Sequence, residues 1–116
     1  ALAPAFSDEA SASEKTSPAE AKKIAKKAMK KRGWGTRQYR CLVPLWQAES
    51  KWSTTAGYIR GSYGIPQAYP GSKMASAGKD WRTNAATQIA WGLGYIAGRY
   101  GTPCAAWRHF QRYRWY

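Results

Sequence analysis

The chain has 116 residues, enough for one domain with a modest hydrophobic core but too few for two. It carries 19 Lys and Arg against six Asp and Glu, and this net charge of +13 indicates a polyanionic partner such as nucleic acid, an acidic cell envelope or an acidic membrane surface. No apolar stretch approaches the length of a transmembrane helix, so we expect no membrane span. Seven Trp and eight Tyr exceed the needs of a small core, which predicts a groove whose flat rings bind sugars or bases.

The N-terminal segment, ALAPAFSDEASASEKTSP, is rich in Ala, Ser and Pro. This composition predicts a disordered tail over residues 1–17. The segment is similar to the mature end that remains after signal-peptide removal, which indicates a secreted, extracellular protein.

The first predicted helix follows the tail. Ser17 is its N-cap, Pro18 occupies the first helical position, and Glu20 completes a capping box. Gly33 ends the helix. Its narrow apolar stripe consists of Ile24, Ala28 and Met29, and its many lysines form a solvated face.

The second helix is predicted from Thr36 through the sequence TRQYRCLVPLWQAES. Leu42, Leu45, Trp46 and Glu49 recur at i, i+3, i+4 and i+7, so they share one helical face. Because Pro44 lacks a backbone donor, we expect a kink there or a helix that starts later than Thr36. Glu49 ends the apolar face and is therefore expected in a pocket at the edge of the core.

The remainder of the chain predicts an irregular region and two further helices. Residues 53–79 are rich in Gly and Pro and carry little regular structure. The third helix is capped between Asp80 and Asn84 and ends at Gly101, with a buried face formed by Ile89, Leu93, Ile96, Ala97 and Tyr100. Thr102 and Pro103 open the fourth helix, CAAWRHFQRY. The predicted fold class is all-α.

Cys41 and Cys104 lie 63 positions apart. Two Cys and the single His109 do not provide the ligands of a zinc site, so no metal is expected. A disulfide is favoured over two buried free thiols in a secreted chain. Closing a loop of this length would stabilise the fold by about 4 kcal/mol.

Glu49 is the candidate catalytic residue. From Gly33 onwards the chain has 11 Lys and Arg but only two acids, Glu49 and Asp80. A surface glutamate paired with an arginine is the alternative, but Glu49 ends an apolar face between Trp46 and Trp52. Desolvation there would raise its pKa towards the range useful for proton donation. A carboxylic acid beside aromatic rings suits glycosidic bond cleavage. The sequence contains no glycine-rich phosphate-binding loop, and no Cys–His or Ser–His–Asp set is plausible in it.

Four short motifs occur in the order and spacing of one enzyme family. They are Glu49-Ser50, then Gly64-Ile65-Pro66-Gln67, the set Asn84, Gly92, Tyr95 and Ile96, and the final AAWRHF. With these motifs the chain resembles the soluble-lytic-transglycosylase (SLT-like) family of lysozyme-like enzymes that cut peptidoglycan, especially its short secreted actinobacterial members. The resemblance implies a compact, helical lysozyme-like domain over residues 18–116, of the α+β lysozyme-like superfamily, with irregular loops and one disulfide.

The resemblance also implies roles for single residues. Glu49 would be the sole catalytic acid and then base, without a cofactor. Gln67 and the backbone of the 64–67 loop would hydrogen-bond the N-acetyl sugar, and Tyr95 would approach Glu49 or the sugar. The full set of expected substrate-binding residues is Ser50, Tyr63, Gly64, Ile65, Gln67, Tyr95 and Trp107. In the last motif Trp107 and Arg108 replace the tyrosine and asparagine of the family.

The expected activity is that of a lytic transglycosylase, a lyase that cleaves the bond between N-acetylmuramic acid and N-acetylglucosamine and leaves a 1,6-anhydro end. With Asp80 expected to be a helix cap, no second carboxylate remains for a conventional glycosidase. The alternatives are a lysozyme-type muramidase on the same fold and a non-enzymatic cationic wall-binding or antimicrobial protein. Expected partners are peptidoglycan strands and anionic wall polymers, for a monomer associated with the cell wall. Nucleic-acid binding would leave Glu49 without a use.

Overall fold

Four α-helices and one short 3₁₀ helix form most of the described chain, residues 16–116 of a computed structural model. In chain order they are α1 (Pro18–Lys31), α2 (Thr36–Ser50), the 3₁₀ helix (Gly71–Ser76), α3 (Ala85–Arg99) and α4 (Pro103–Tyr113). Isolated β-bridges occur between residues 57 and 68, but residues 16–116 contain no β-strand, so the predicted helical class is confirmed. Apart from Thr16 and Ser17, the tail predicted over residues 1–17 lies outside the described residues.

Side-chain caps begin three of the helices. The backbone N–H of Glu20 donates to Ser17 Oγ at 3.1 Å, and that of Ala105 donates to Thr102 Oγ1 at 3.2 Å, as the sequence predicts. The cap of α3 is Asn84, whose Oδ1 accepts from the backbone N–H of Thr87 at 3.2 Å. The expectation that Asp80 caps this helix is therefore wrong.

Asp80 instead supports the cap from the preceding turn. Its carboxylate accepts hydrogen bonds from Asn84 Nδ2 at 2.9 Å and from Thr87 Oγ1 at 2.6 Å. Asn84 thus caps the helix with its Oδ1, while the acceptor for its Nδ2 is Asp80, which holds the cap in place. Both carboxylate oxygens of Asp80 are thus engaged locally.

Helix α2 runs without interruption from Thr36 and includes Pro44, so a later start is not observed. The proline leaves the carbonyl of Arg40 without its usual helical donor. Burial of the face that carries Leu42, Leu45 and Trp46 outweighs this loss, since all three side chains are fully buried. The predicted apolar face is confirmed, with Glu49 half-buried at its end.

The main core lies between the two helix pairs α2–α4 and α1–α3. Its fully buried members include Met29, Trp46, Ile89, Leu93 and Ile96, and Trp52 and Ile65 from the loop region complete it. A smaller cluster beneath the loop consists of Tyr63, Ala68, Met74 and Trp81. On α1 the buried stripe is Ala21, Ala25 and Met29, whereas the predicted Ile24 and Ala28 are only partly buried.

The disulfide between Cys41 and Cys104 is present, as predicted. It joins α2 to the first turn of α4, with 4.9 Å between the two Cα atoms. Nearby, the backbone N–H of Cys104 donates to Gln38 Oε1 at 2.9 Å and adds a second link between the same helices. The bond thus fixes the helix that carries Glu49 against the last helix.

Within residues 16–116, no helix has both the length and the apolar character needed to cross a lipid bilayer.

Candidate active site

Glu49 lies in the last turn of α2, half-buried at the edge of the core. Burial disfavours its charged form and raises the pKa of this carboxyl from 4.5 to about 7. The partial negative charge at the C-terminal end of a helix acts in the same direction. In the part of the chain that the structure describes, no Lys or Arg forms an ion pair with Glu49. The side chain can therefore both hold and release a proton near neutral pH.

The turn after Glu49 has an unusual backbone. Lys51 and Trp52 adopt left-handed conformations, with φ of 55° and 62°, which cost free energy for residues other than glycine. Ser50 stabilises the turn, because its Oγ accepts from the backbone N–H of Trp52 at 3.1 Å and donates to the carbonyl of Ile65 at 2.7 Å. Such strain concentrates at functional sites and here lies directly beside the candidate acid.

Gln88, fully buried on α3, anchors the loop over residues 64–67. Its Oε1 accepts from the backbone N–H of Ile65 at 2.9 Å, and its Nε2 donates to the carbonyls of Thr54 at 2.9 Å and Trp81 at 2.8 Å. Gly64 passes so close that a Cβ at this position would lie 2.7 Å from Gln88 Oε1. Gln88 was not predictable as a site residue, because nothing in the local sequence distinguishes it from an exposed helix glutamine.

Gln67 lies on the same loop with a left-handed φ of 55°. Its Nε2 donates to the carbonyls of Ala56 at 3.0 Å and Gly64 at 2.9 Å, so Oε1 is the atom left to meet a ligand. The backbone N–H groups of Gly64, Ile65 and Gln67 all donate within the protein. Backbone contacts to a sugar from this loop would therefore use its carbonyl oxygens as acceptors.

Tyr116 is a site residue that the sequence analysis missed. Its hydroxyl accepts from Trp46 Nε1 and donates to the carbonyl of Pro66, each at 2.8 Å. Burial, and after it the charge of Glu49, raises the pKa of the Tyr116 hydroxyl well above its usual value. The phenol thus stays neutral beside Glu49 and joins α2 to the 64–67 loop.

A cavity of about 210 Å³ adjoins Tyr116. Four of its eight lining residues are aromatic, and two of them, Trp91 and Tyr95, are stacked with 5.3 Å between ring centroids. The complete lining is Pro66, Gln67, Ala68, Tyr69, Lys73, Trp91, Tyr95 and Tyr116. The cavity therefore brings together two of the residues predicted to bind substrate, Gln67 and Tyr95. Glu49 is not part of the lining, but its charge acts on the lining residue Tyr116.

Other residues predicted to bind substrate have supporting positions. Ile65 is fully buried, and Ser50 is committed to the carbonyl of Ile65. The buried Tyr63 donates its hydroxyl to the carbonyl of Arg82 at 2.7 Å. Trp107 stacks on Phe110 of α4, with 5.9 Å between ring centroids, away from the cavity lining. Ile65, Ser50 and Tyr63 thus support the loop region, whereas Trp107 packs on α4, and direct substrate contact by any of the four stays a prediction.

Comparisons with known proteins do not identify the chain. No family model, no curated protein and no solved structure matches it. Nor does any group of three or more His, Cys, Asp or Glu side chains in residues 16–116 have an arrangement able to hold a metal ion.

The raised pKa of Glu49 predicts a pH-dependent stability. Between pH 4.5 and about 7 the native state binds more protons at this group than the unfolded state, so the free energy of unfolding falls as pH rises through this window. Replacing Glu49 with Gln removes this component. In urea unfolding across pH 4–8, the free energy of unfolding of the variant should rise relative to that of the wild type from pH 4.5 to about 7. Above this window the difference between the two proteins should stay constant. If the stability of the wild type and that of the variant depended on pH in the same way, the raised pKa of Glu49 would be contradicted.

Proposed function

We propose that the chain is a peptidoglycan lytic transglycosylase, acting outside the cell on the β-1,4 bond between N-acetylmuramic acid and N-acetylglucosamine. The observation that carries the proposal is the half-buried Glu49, which has no ion-pair partner in the described chain and a pKa of about 7, and whose charge acts on Tyr116 in the cavity lining. This combination suits a group that must first donate a proton and then accept one. The motif resemblance supports the same chemistry.

The proposed reaction needs one carboxyl group and no water. Protonated Glu49 donates its proton to the glycosidic oxygen, and the bond from C1 of the muramyl sugar to that oxygen breaks. The N-acetyl group stabilises the positive charge that develops at C1. The Glu49 carboxylate then takes the proton of the C6 hydroxyl, whose oxygen closes onto C1. The products are a free N-acetylglucosamine end and a 1,6-anhydromuramyl end, and Glu49 is protonated again.

The surrounding acids support a mechanism with one carboxylate. Among residues 16–116 the acids are Glu20, Glu49 and Asp80. Asp80 has both oxygens committed to Asn84 and Thr87, and Glu20 lies in the first turn of α1 beside Ser17. Conventional glycosidases require a second carboxyl group about 5–9.5 Å from the first, as nucleophile or base. No described acid other than Glu49 is free for such a role.

Mass spectrometry of the products tests the reaction type. Digestion of purified peptidoglycan should yield muramyl ends that are lighter by one water than reducing ends. Reducing ends alone would assign a lysozyme-type muramidase to the same site. Wall binding without any cleavage would leave the non-enzymatic cationic protein as the function.

Wall binding itself should be electrostatic and separable from catalysis. The exposed lysines of α1 include Lys23, Lys26, Lys27 and Lys30, and they lie on a chain with a net charge of +13. Raising the salt concentration to about 0.5 M should release the protein from purified walls, because the Debye length then falls to about 4 Å and attraction between exposed charges is screened. A pelleting assay measures this, with the Glu49→Gln variant expected to be released at the same salt concentration as the wild type. Retention at high salt would indicate binding by sugar stacking instead.

A further inference from the structure

We infer that the cavity beside Tyr116 binds a sugar that carries a carboxylate, a muramyl-type unit, and that Lys73 is the residue that recognises this group. The inference rests on the proposed function and adds a substrate preference to it. The cavity lining contains one cation, Lys73, and no acid. Glu49 contributes the chemistry next to the cavity, whereas Lys73 would determine which sugar occupies it.

The aromatic part of the lining suits a sugar ring. Trp91 and Tyr95 are stacked at an interplanar angle of 14°, so their parallel rings form one aromatic patch in the cavity wall. Tyr69 stands at the rim with 68% of its surface exposed. Flat apolar rings combined with a few polar atoms are the usual composition of small-ligand sites. Gln67 Oε1, left over after both amide hydrogens are used, can accept from the N–H of an acetamido group.

Lys73 brings an uncompensated charge to this patch. Its backbone is held in the 3₁₀ helix, because its N–H donates to the carbonyl of Pro70 at 3.1 Å and its own carbonyl accepts from Ser76 Oγ at 3.1 Å. The three acids of residues 16–116, Glu20, Glu49 and Asp80, are all absent from the cavity lining that contains Lys73. A positive charge at the mouth of a partly enclosed, aromatic-lined cavity favours an anionic ligand more strongly than the same charge on an open surface.

The chemistry of the substrate provides the matching anion. In strands of alternating N-acetyl sugars, the muramyl unit differs from N-acetylglucosamine by a lactyl ether. This ether ends in a carboxylate, or in a stem peptide that carries carboxylates. Both sugars offer the same ring and the same acetamido group to the aromatic patch and to Gln67. Only the muramyl unit offers an anion to Lys73, so this lysine would distinguish peptidoglycan from neutral polymers such as chitin.

Two disaccharides that differ by the lactyl group test the inference. The probes are N-acetylglucosaminyl-β-1,4-N-acetylmuramic acid and N,N′-diacetylchitobiose, titrated into the full chain at low salt while the tryptophan fluorescence or amide NMR shifts are followed. We expect the carboxylate-bearing disaccharide to bind about 5-fold more tightly. Lys73→Gln should abolish this preference by weakening only the binding of the anionic sugar, and Lys73→Arg should largely keep it.

Lys79→Gln is the matched control, since Lys79 is exposed and lies outside the cavity lining. This variant should keep the preference. Equal binding of the two disaccharides by the wild type, no binding of either, or a preference that survives Lys73→Gln would each overturn the inference. Neither probe contains the bond that the proposed reaction breaks. A preference without any cleavage of walls would therefore contradict only the proposed function, and cleavage without a preference would contradict only the role of Lys73.

Discussion

Replacing Glu49 with Gln is expected to lower the rate of peptidoglycan cleavage by at least about 10²–10⁴-fold, the usual contribution of one general acid–base group. The loss should reach the upper end, because the same side chain serves both proton transfers. Gln is nearly isosteric and fills the half-buried position at the end of α2, but it can neither donate the proton nor take one back. Fold and wall binding should be unchanged.

Turbidity loss of purified Gram-positive walls measures this effect, with the products identified by mass. Asp80→Asn is the control, since it also removes a carboxylate but leaves Glu49 in place. Asn can still accept from Thr87 Oγ1, although it loses the favourable contact with Asn84 Nδ2, so a modest loss of stability and near-normal activity are expected. An active Glu49→Gln enzyme, or an inactive but folded Asp80→Asn enzyme, would contradict the one-carboxylate mechanism.

The two interpretations of Glu49 that the sequence left open also differ in their energetics. A surface glutamate paired with an arginine would contribute about 0–1 kcal/mol to stability and nothing to catalysis. Its pKa would lie at or below the usual value, because a neighbouring cation favours the carboxylate. Burial instead raises the pKa of Glu49 to about 7, so ionisation costs stability at neutral pH. A residue that destabilises the fold in this way is consistent with a functional role.

The helices and the buried face of α2 were predictable because their signals are local. Ser17, Thr102 and Pro103 mark helix starts by satisfying or removing backbone donors within one turn. The spacing from Leu42 to Glu49 defines one helical face whatever the tertiary fold. Asp80 shows the limit of such signals, because Asp and Asn are equally good caps and only the real start of α3, at Ala85, distinguishes them.

The parts that were missed depend on contacts between distant residues. Tyr116 joins Trp46, 70 residues earlier, to Pro66, 50 residues earlier, and no pattern in RYRWY indicates either partner. The choice of buried stripe on α1 depends on where α3 packs against it. The cavity likewise requires the 3₁₀ helix, the 64–67 loop and α3 to meet. The position of Glu49 at the edge of the core could therefore be predicted from the sequence, whereas the cavity and Tyr116 could not.

Replacing Gln88 with Leu is expected to lower the free energy of unfolding by about 3–5 kcal/mol, even though Leu is apolar, similar in volume and an excellent helix former. The substitution leaves three buried backbone groups without partners, namely the N–H of Ile65 and the carbonyls of Thr54 and Trp81. Each such group costs about 1–3 kcal/mol when it stays buried. Urea unfolding with matched m-values measures the change.

The same substitution should impair catalysis at temperatures at which the variant is folded, because the 64–67 loop loses its anchor to α3 while Glu49 and Lys73 are untouched. Gln111→Leu is the matched control, since Gln111 is an exposed glutamine on α4. Its effect should stay within about 0.5 kcal/mol, as is usual for surface sites. If Gln88→Leu were as stable and as active as Gln111→Leu, the loop would not depend on the Gln88 network. The geometry of the cavity would then have to be maintained by Ser50 and Tyr116, the two side chains that donate to the carbonyls of Ile65 and Pro66.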